Sequence, residues 1–473
     1  MHHSIQIILQ FLLIILTFTS SFIIEAQPPG ITYTYEYPYK NGIPFQRFKE
    51  RRTSLKNTHS AKSMIVSLSA DSRNRQNDVD HPYRQNSNFL YLTGMPYAKS
   101  ALIIAPGGIE YEGQISHEFL FVQPRSTEKE AWEGALMGLD EARILLIERI
   151  LPYAELRNFM MKHLSGIDTV FFTGLPTSSI PIPLADKPLS VETIIKNDIQ
   201  STFPELYVKT TLPTLNALRE VKDADEITLM KKAIDISIEG HVSAMKESHP
   251  GITEYELEAL MEFAFKKGGA EDIGYSSIMG SGYNTCILHY TSNRKATMNG
   301  DLVLADCGAE YQNYTADITR TFPVNGSFTA DQKKLYDIVL EAADSAIAEA
   351  KVGNTFRAPH NAAKKVLLKR MIEIGLIEKE EQLKWYFMHG TSHYLGLDVH
   401  DPGTMGTLKH GSIITVEPGL YIPPGSPCDQ RWWNIGIRIE DDILIDSNGP
   451  INLSESLPRT TQAIEALMKS KNK

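Results

Sequence analysis

Phe387-Met388-His389-Gly390-Thr391-Ser392-His393-Tyr394-Leu395-Gly396-Leu397-Asp398-Val399-His400-Asp401 places three histidines within 12 residues and separates them with glycines and apolar side chains. A solvated loop rarely puts Tyr, Leu and Val between histidines, so the stretch reads as half-buried. What gives it meaning is the set of carboxylates on either side. Upstream, the apolar run Leu302-Val303-Leu304-Ala305 ends in Asp306, and Asp317 follows 11 residues later. Downstream, Ile413-Ile414-Thr415-Val416 ends in Glu417, and Ile435-Gly436-Ile437-Arg438-Ile439 ends in Glu440.

Acids at the ends of apolar strands are costly to bury unless they are paired or coordinate a metal. Four such acids and one histidine make a coherent ligand set. Four carboxylates neutralise two dications, and mixed oxygen and nitrogen ligation suits Mn, Co or Zn. The first pair has its own geometry. A hairpin turning at Tyr311-Gln312 would set Asp306 and Asp317 directly opposite each other, about 4.5–5.5 Å apart, close enough to share one ion. Without a cation there, one of the two would have to stay protonated.

These acids lie within longer phrases. Asp317-Ile318-Thr319-Arg320-Thr321-Phe322-Pro323-Val324, the histidine run, Val416-Glu417-Pro418-Gly419-Leu420-Tyr421-Ile422 and Gly436-Ile437-Arg438-Ile439-Glu440-Asp441-Asp442 resemble the pita-bread metallopeptidases, which include methionine aminopeptidase, prolidase and aminopeptidase P. The wording is most similar to aminopeptidase P. Tyr83-Arg84-Gln85-Asn86-Ser87-Asn88-Phe89 with Tyr91-Leu92-Thr93-Gly94 resembles that family's N-terminal domain. The resemblance therefore covers nearly all of the chain beyond about residue 45.

The resemblance implies a fold and a chemistry. The fold is an α/β N-terminal domain followed by an α+β pita-bread catalytic domain. The metal ligands would be Asp306, Asp317, His393, Glu417 and Glu440, holding two divalent ions, with Mn favoured and Co or Zn as alternatives. The reaction would be hydrolysis of the bond between an N-terminal residue and a following proline, by a water or hydroxide bridging the two ions. Glu417 would also take a proton from that water. His289 and His400 would donate hydrogen bonds to the substrate carbonyl or its oxyanion. His389, with Tyr421, would line the proline pocket. Arg438 lies two residues before Glu440, so on a strand the two share a face, and it reads as a partner that holds a ligand carboxylate. The partners implied are peptides with proline second, in a homo-oligomer, dimer or tetramer. Prolidase, with the same ligands and Xaa-Pro dipeptides as substrates, is the nearest alternative. A pita-bread binding protein without catalysis is a second one, of another class.

Composition bounds the rest. A chain of 473 residues exceeds one ordinary domain core. A formal charge of −10, a pI near 5.8 and the lack of a dense Lys/Arg stripe argue against nucleic acid. Three scattered cysteines, Cys286, Cys307 and Cys428, imply no disulfide framework. Residues 1–26 are largely apolar from Ile5 to Ile24 and end in Glu25-Ala26, the pattern of a signal peptide for export to the periplasm or exterior, with no membrane association after cleavage. An uncleaved leader acting as a membrane anchor is the alternative.

The Tyr- and Pro-rich segment 28–44 reads as an arm packed on the first domain. Residues 45–213 alternate short buried strands with helical patterns, two of them near Ala142–Ile150 and Tyr153–Leu164. The catalytic domain is expected over 218–468, entered through Leu218-Arg219-Glu220-Val221-Lys222-Asp223-Ala224-Asp225-Glu226. Its helices should start after Glu226, at Thr253 and at Thr329, where capping boxes are spelled out, and near Asn361.

Overall fold

The structure, a computed structural model, describes residues 33–174, 179–180 and 189–470. The expected leader lies outside them. Six strands form the first sheet: β1 (Ser63–Leu68), β2 (Ala101–Tyr111), β3 (Gln114–Val122), β4 (Arg149–Pro152), β5 (Thr169–Phe172) and β6 (Tyr207–Thr210), in the order β6-β5-β1-β2-β3-β4. It is mixed, with β1, β2 and β3 antiparallel and the outer pairings parallel. Both faces are covered, which is why these strands read as continuous apolar runs. Met64, Val66 and Phe121 pack beneath Phe159 on one face, while Ile65, Leu102 and Leu120 pack with Leu55 and Phe89 on the other.

The helix expected over 142–150 is not there. A short 3₁₀ turn, Glu141–Leu145, ends at Leu146 in the left-handed region (φ 54°). Ile150 and Leu151 then pair with Leu120 and Phe121 as β4, so sheet pairing outweighs the local helical pattern. The later helix runs over Leu156–His163, behind a 3₁₀ turn that follows Pro152.

The arm packs on the first domain, as expected, and also on the second. The Tyr37 hydroxyl donates to the Gly94 carbonyl (2.8 Å), while Asn313 of the catalytic domain donates to the Tyr39 hydroxyl (2.7 Å).

The linker begins with α1 (Leu212–Glu220) and leads into α2 (Ala224–Glu247), whose capping box is Asp223 with Glu226. The boxes at Thr253 and Thr329 start α3 (Glu254–Gly268) and α4 (Ala330–Glu349), and α5 covers Ala358–Glu373. Gly269, at φ 97°, closes α3 in the conformation glycine adopts most readily.

The strands of this domain pair antiparallel throughout: β7 (Ile278–Ser281), β8 (Leu302–Asp306), β9 (Ala309–Tyr311), β10 (Tyr314–Thr315), β11 (Thr319–Pro323), β12 (Ile413–Val416), β13 (Gly419–Ile422), β14 (Ile435–Arg438) and β15 (Asp441–Leu444). Helices α3, α4 and α5 cover their outer face. Phe265, Val339 and Leu367 pack in one core with Val303, Phe322, Val416 and Ile437. The inner face is left for polar groups. A further apolar cluster joins the domains, with Leu92 and Leu120 from the first and Leu229, Leu395, Leu397 and Ile413 from the second. Among the described residues, no helix is long and apolar enough to cross a membrane.

Candidate active site

The hairpin from β8 to β11 turns at Gln312-Asn313, both in the left-handed region (φ 48° and 66°), rather than at Tyr311-Gln312. Asp306 is therefore paired with Thr319, and Asp317 lies diagonally across from it on the same face. The two aspartates are bracketed by one group: the Tyr275 hydroxyl is 2.6 Å from an oxygen of each.

Glu417 and Glu440 sit where two strand pairs meet. β12 pairs with β15 and β13 with β14, and the breaks between them fall at Glu417-Pro418 and Ile439-Glu440. The Glu440 amide bonds the Thr319 carbonyl (3.1 Å), which ties this corner to the hairpin. The histidine run lies alongside β12: Thr415, Glu417 and Leu395 give amide bonds to the His393, Thr391 and Ile413 carbonyls. His393 Nδ1 lies 3.0 Å from the Tyr394 carbonyl, which leaves Nε2 turned to Asp317 (3.3 Å) and Glu417 (3.7 Å).

All five expected ligands, together with His289, His389 and His400, line one cavity of about 750 Å³. Asp317, His393 and Glu440 form its centre, each with a donor atom within 4.8 Å of the others. Asp306 and Glu417 flank them. The carboxylates crowd one another. Burial, then Asp317, Glu417 and Asp306, push the Glu440 carboxyl well above its usual range. Burial raises Asp306 against the opposing pull of Arg438. It also lifts Glu417 to about 7, although His393 and Arg438 oppose it. Burial would lower His393, yet Asp317 and Glu417 raise it to about 9. More negative charge is gathered here than the protein's own cations balance, so the donor set fits divalent ions.

Arg438 acts on the ligands along two routes. Its guanidinium bonds the Asp306 carboxylate directly, and its Nε donates to the Thr319 hydroxyl (3.1 Å), which itself donates to Glu440 (2.6 Å). Tyr421 is placed differently from the expectation. It is fully buried behind the cavity wall, where its hydroxyl meets His389 Nε2 (2.9 Å) and Arg438 (3.1 Å), so it orients His389 instead of lining the pocket. Burial, followed by Arg438, lowers His389 to about 4, which keeps it neutral near pH 7. The His400 ring stands edge-on to His393, 4.4 Å between centroids, and burial lowers its pKa as well.

Tyr275 and Thr319 were not singled out from the sequence. Thr319 was legible: it follows Asp317 by two residues on the same strand face. Tyr275 carries no such mark, because it comes from a separate segment ahead of β7.

This arrangement has known counterparts. The pattern of metallopeptidase family M24 matches residues 228–447, and that of the aminopeptidase P N-terminal domain matches residues 48–171. Xaa-Pro aminopeptidase of Escherichia coli is 35% identical over 439 residues, covering 90% of this chain and 98% of that protein. The chain belongs to the aminopeptidase P family of M24 metallopeptidases. Aminopeptidase PepP of Pseudomonas aeruginosa superposes on this family member with a TM-score of 0.82 at 34% identity, over 91% of this chain and 99% of the other. Zinc-substituted aminopeptidase P of E. coli, in complex with product, does so with the same score at 33% identity, over 91% and 100%. The aminopeptidase P fold expected from the sequence, an α/β domain followed by a pita-bread domain, is thus established.

Proposed function

We propose that the chain is a metal-dependent aminopeptidase that hydrolyses the bond between an N-terminal residue and a following proline. The observation that carries this reading is the convergence of the four ligand carboxylates and four histidines on one cavity, in a chain that aligns with nearly the full length of an Xaa-Pro aminopeptidase. Asp306, Asp317, His393, Glu417 and Glu440 would hold two divalent ions, with Mn as the favoured metal. Bound ions lower the pKa of water and polarise a carbonyl, and that is the chemistry they supply.

The residues do the rest. Glu417, a carboxylate at the cavity beside His393, is placed to accept and return a proton. His289 and His400 line the same cavity from separate segments, suited to hold the substrate carbonyl as charge develops on its oxygen. His389, neutral and fixed by Tyr421, offers the proline ring a flat apolar face. Export by a cleaved leader and assembly into a dimer or tetramer belong to the same proposal. N-terminal sequencing of the native protein tests the first, and light scattering the second.

The deciding experiment is product analysis on chelated enzyme with and without added Mn. An Xaa-Pro-Yaa tripeptide should release Xaa only when metal is restored. Preferential cleavage of an Xaa-Pro dipeptide would make the enzyme a prolidase. Metal binding without cleavage of either would leave a binding protein.

A further inference from the structure

The linker between the domains does more than connect them. Arg219 and Lys222 are almost wholly buried, and both reach the loop that carries His400. Arg219 donates to Asp401 (2.5 Å), to Asp398 (2.7 Å) and to Asn88 of the first domain (2.7 Å). Lys222 Nζ donates to the second oxygen of Asp401 (3.1 Å), and its backbone amide bonds the Gly411 carbonyl (2.9 Å). Asp401 in turn accepts the Asp398 amide (3.1 Å), closing the turn around His400. The first domain adds Ser87, which donates to Asp398 (2.6 Å), and Arg84, which bonds the Leu397 carbonyl. The fit is close: a Cβ at Gly396 would meet Asp401 Oδ2 at 2.6 Å and Lys222 Cε at 3.0 Å.

His400 itself has no comparable support. Among the described residues, none hydrogen-bonds its ring. Its placement is therefore set by the backbone of residues 398–401, which the Asp401 amide closes onto the Tyr394 carbonyl (2.9 Å) and whose side-chain anchors come from the linker and the first domain.

We infer that Arg219 and Lys222 are positioning residues for His400, an ionic clamp through which the linker and first domain set the geometry of the hydrogen-bond donor facing the substrate carbonyl. The inference rests on the proposed role of His400. Displacing a catalytic group by as little as 1 Å costs on the order of 10²-fold in rate, so a clamp of this kind would be visible in turnover.

The test is a double-mutant cycle on Mn-loaded enzyme with an Xaa-Pro-Yaa tripeptide. Arg219→Gln should lower kcat about 10²-fold while KM and metal content stay as in the parent. Combined with His400→Ala, it should lower kcat no further than His400→Ala alone. An unchanged kcat in Arg219→Gln, or a full second loss on top of His400→Ala, would overturn the clamp. Full kcat in His400→Ala alone would instead remove the role of His400, and the clamp with it. Should Arg219→Gln fail to fold, Ser87→Ala and Arg219→Lys read the same contrast. Each should lower kcat with metal content intact, Arg219→Lys less than Arg219→Gln, because one ammonium reaches one carboxylate where the guanidinium reaches two. Parental kcat in both would sink the proposal.

Discussion

The two walls of the cavity are built on different principles. The metal-ligand wall is internal to the catalytic domain. Asp306, Asp317, Glu417 and Glu440 sit on or beside antiparallel strands, cross-linked by Thr319, Arg438 and the buried Arg320, whose guanidinium bonds both the Asp441 carboxylate and the Glu440 carbonyl. The opposite wall, residues 394–401, is a tight loop whose charged anchors come from the linker and the first domain. A group that must hold a multiply charged centre is placed by a hydrogen-bonded ladder, and a group that must meet substrate is placed by ionic contacts between domains. The ligand wall should therefore tolerate damage at the domain junction, and the loop wall should not.

The largest break in that contrast is on the ligand wall. Asp317→Asn removes the acid that contacts both His393 and Tyr275. Activity should fall by more than about 10³-fold, with metal content reduced and far-UV circular dichroism unchanged. Full turnover would refute the assignment of Asp317 as a ligand. Next comes the loop wall. His400→Ala should cost about 10²–10³-fold in kcat, the range for one lost oxyanion donor, with both ions retained on elemental analysis. Loss of metal in that variant would move His400 from substrate to ligand.

Much of the ligand wall could be read from the chain alone, because each acid closes an apolar strand. A strand followed by a carboxylate is a local pattern, and local patterns survive without coordinates. The register of the hairpin was misjudged by one residue on each arm. Asn313 is the better signal for its turn, since two-residue turns of this kind need positive φ at both centres and Asn tolerates that conformation. The place of Tyr421 behind the cavity wall was not legible, because a resemblance in wording carries a residue's neighbourhood and leaves open which layer of a thick site its side chain reaches. The loop wall was scarcely legible. His400 stood out, but its anchors Ser87, Arg219 and Lys222 are distant in sequence, and contacts of that range leave no periodic trace. The apparent helix at 142–150 failed for a related reason: pairing with β3 decided the conformation, and that partner lies some thirty residues away.

A smaller effect sharpens the ligand wall. Thr319→Val keeps the volume of Thr319 while removing the hydroxyl that donates to Glu440 and accepts from Arg438. Metal affinity should weaken by about 10–100-fold, the range for groups that orient ligands. Competition with a graded chelator measures it. An unchanged affinity would mean that the ladder alone orients Glu440.

The smallest expected effect separates the walls by pH. Glu220, in the same linker, accepts bonds from the Thr404 amide (2.9 Å), Lys409 (3.0 Å) and the Tyr394 hydroxyl (3.2 Å), so it ties the two ends of the His400 loop together. Burial works to raise its pKa, but Thr404 and Lys409 outweigh burial and hold it below the usual glutamate value. A carboxyl depressed by folding contributes stability that is fully present above its unfolded pKa and is lost as the pH falls through its folded pKa. The Tm of the parent enzyme should therefore exceed that of Glu220→Gln at neutral pH, and the gap should narrow as the buffer is taken below the ordinary glutamate range. Metal loss in acid affects both proteins alike and cancels in the difference. A gap that stays constant down to low pH would show that Glu220 holds the loop by packing, and that the charge contrast between the two walls does not extend to this residue.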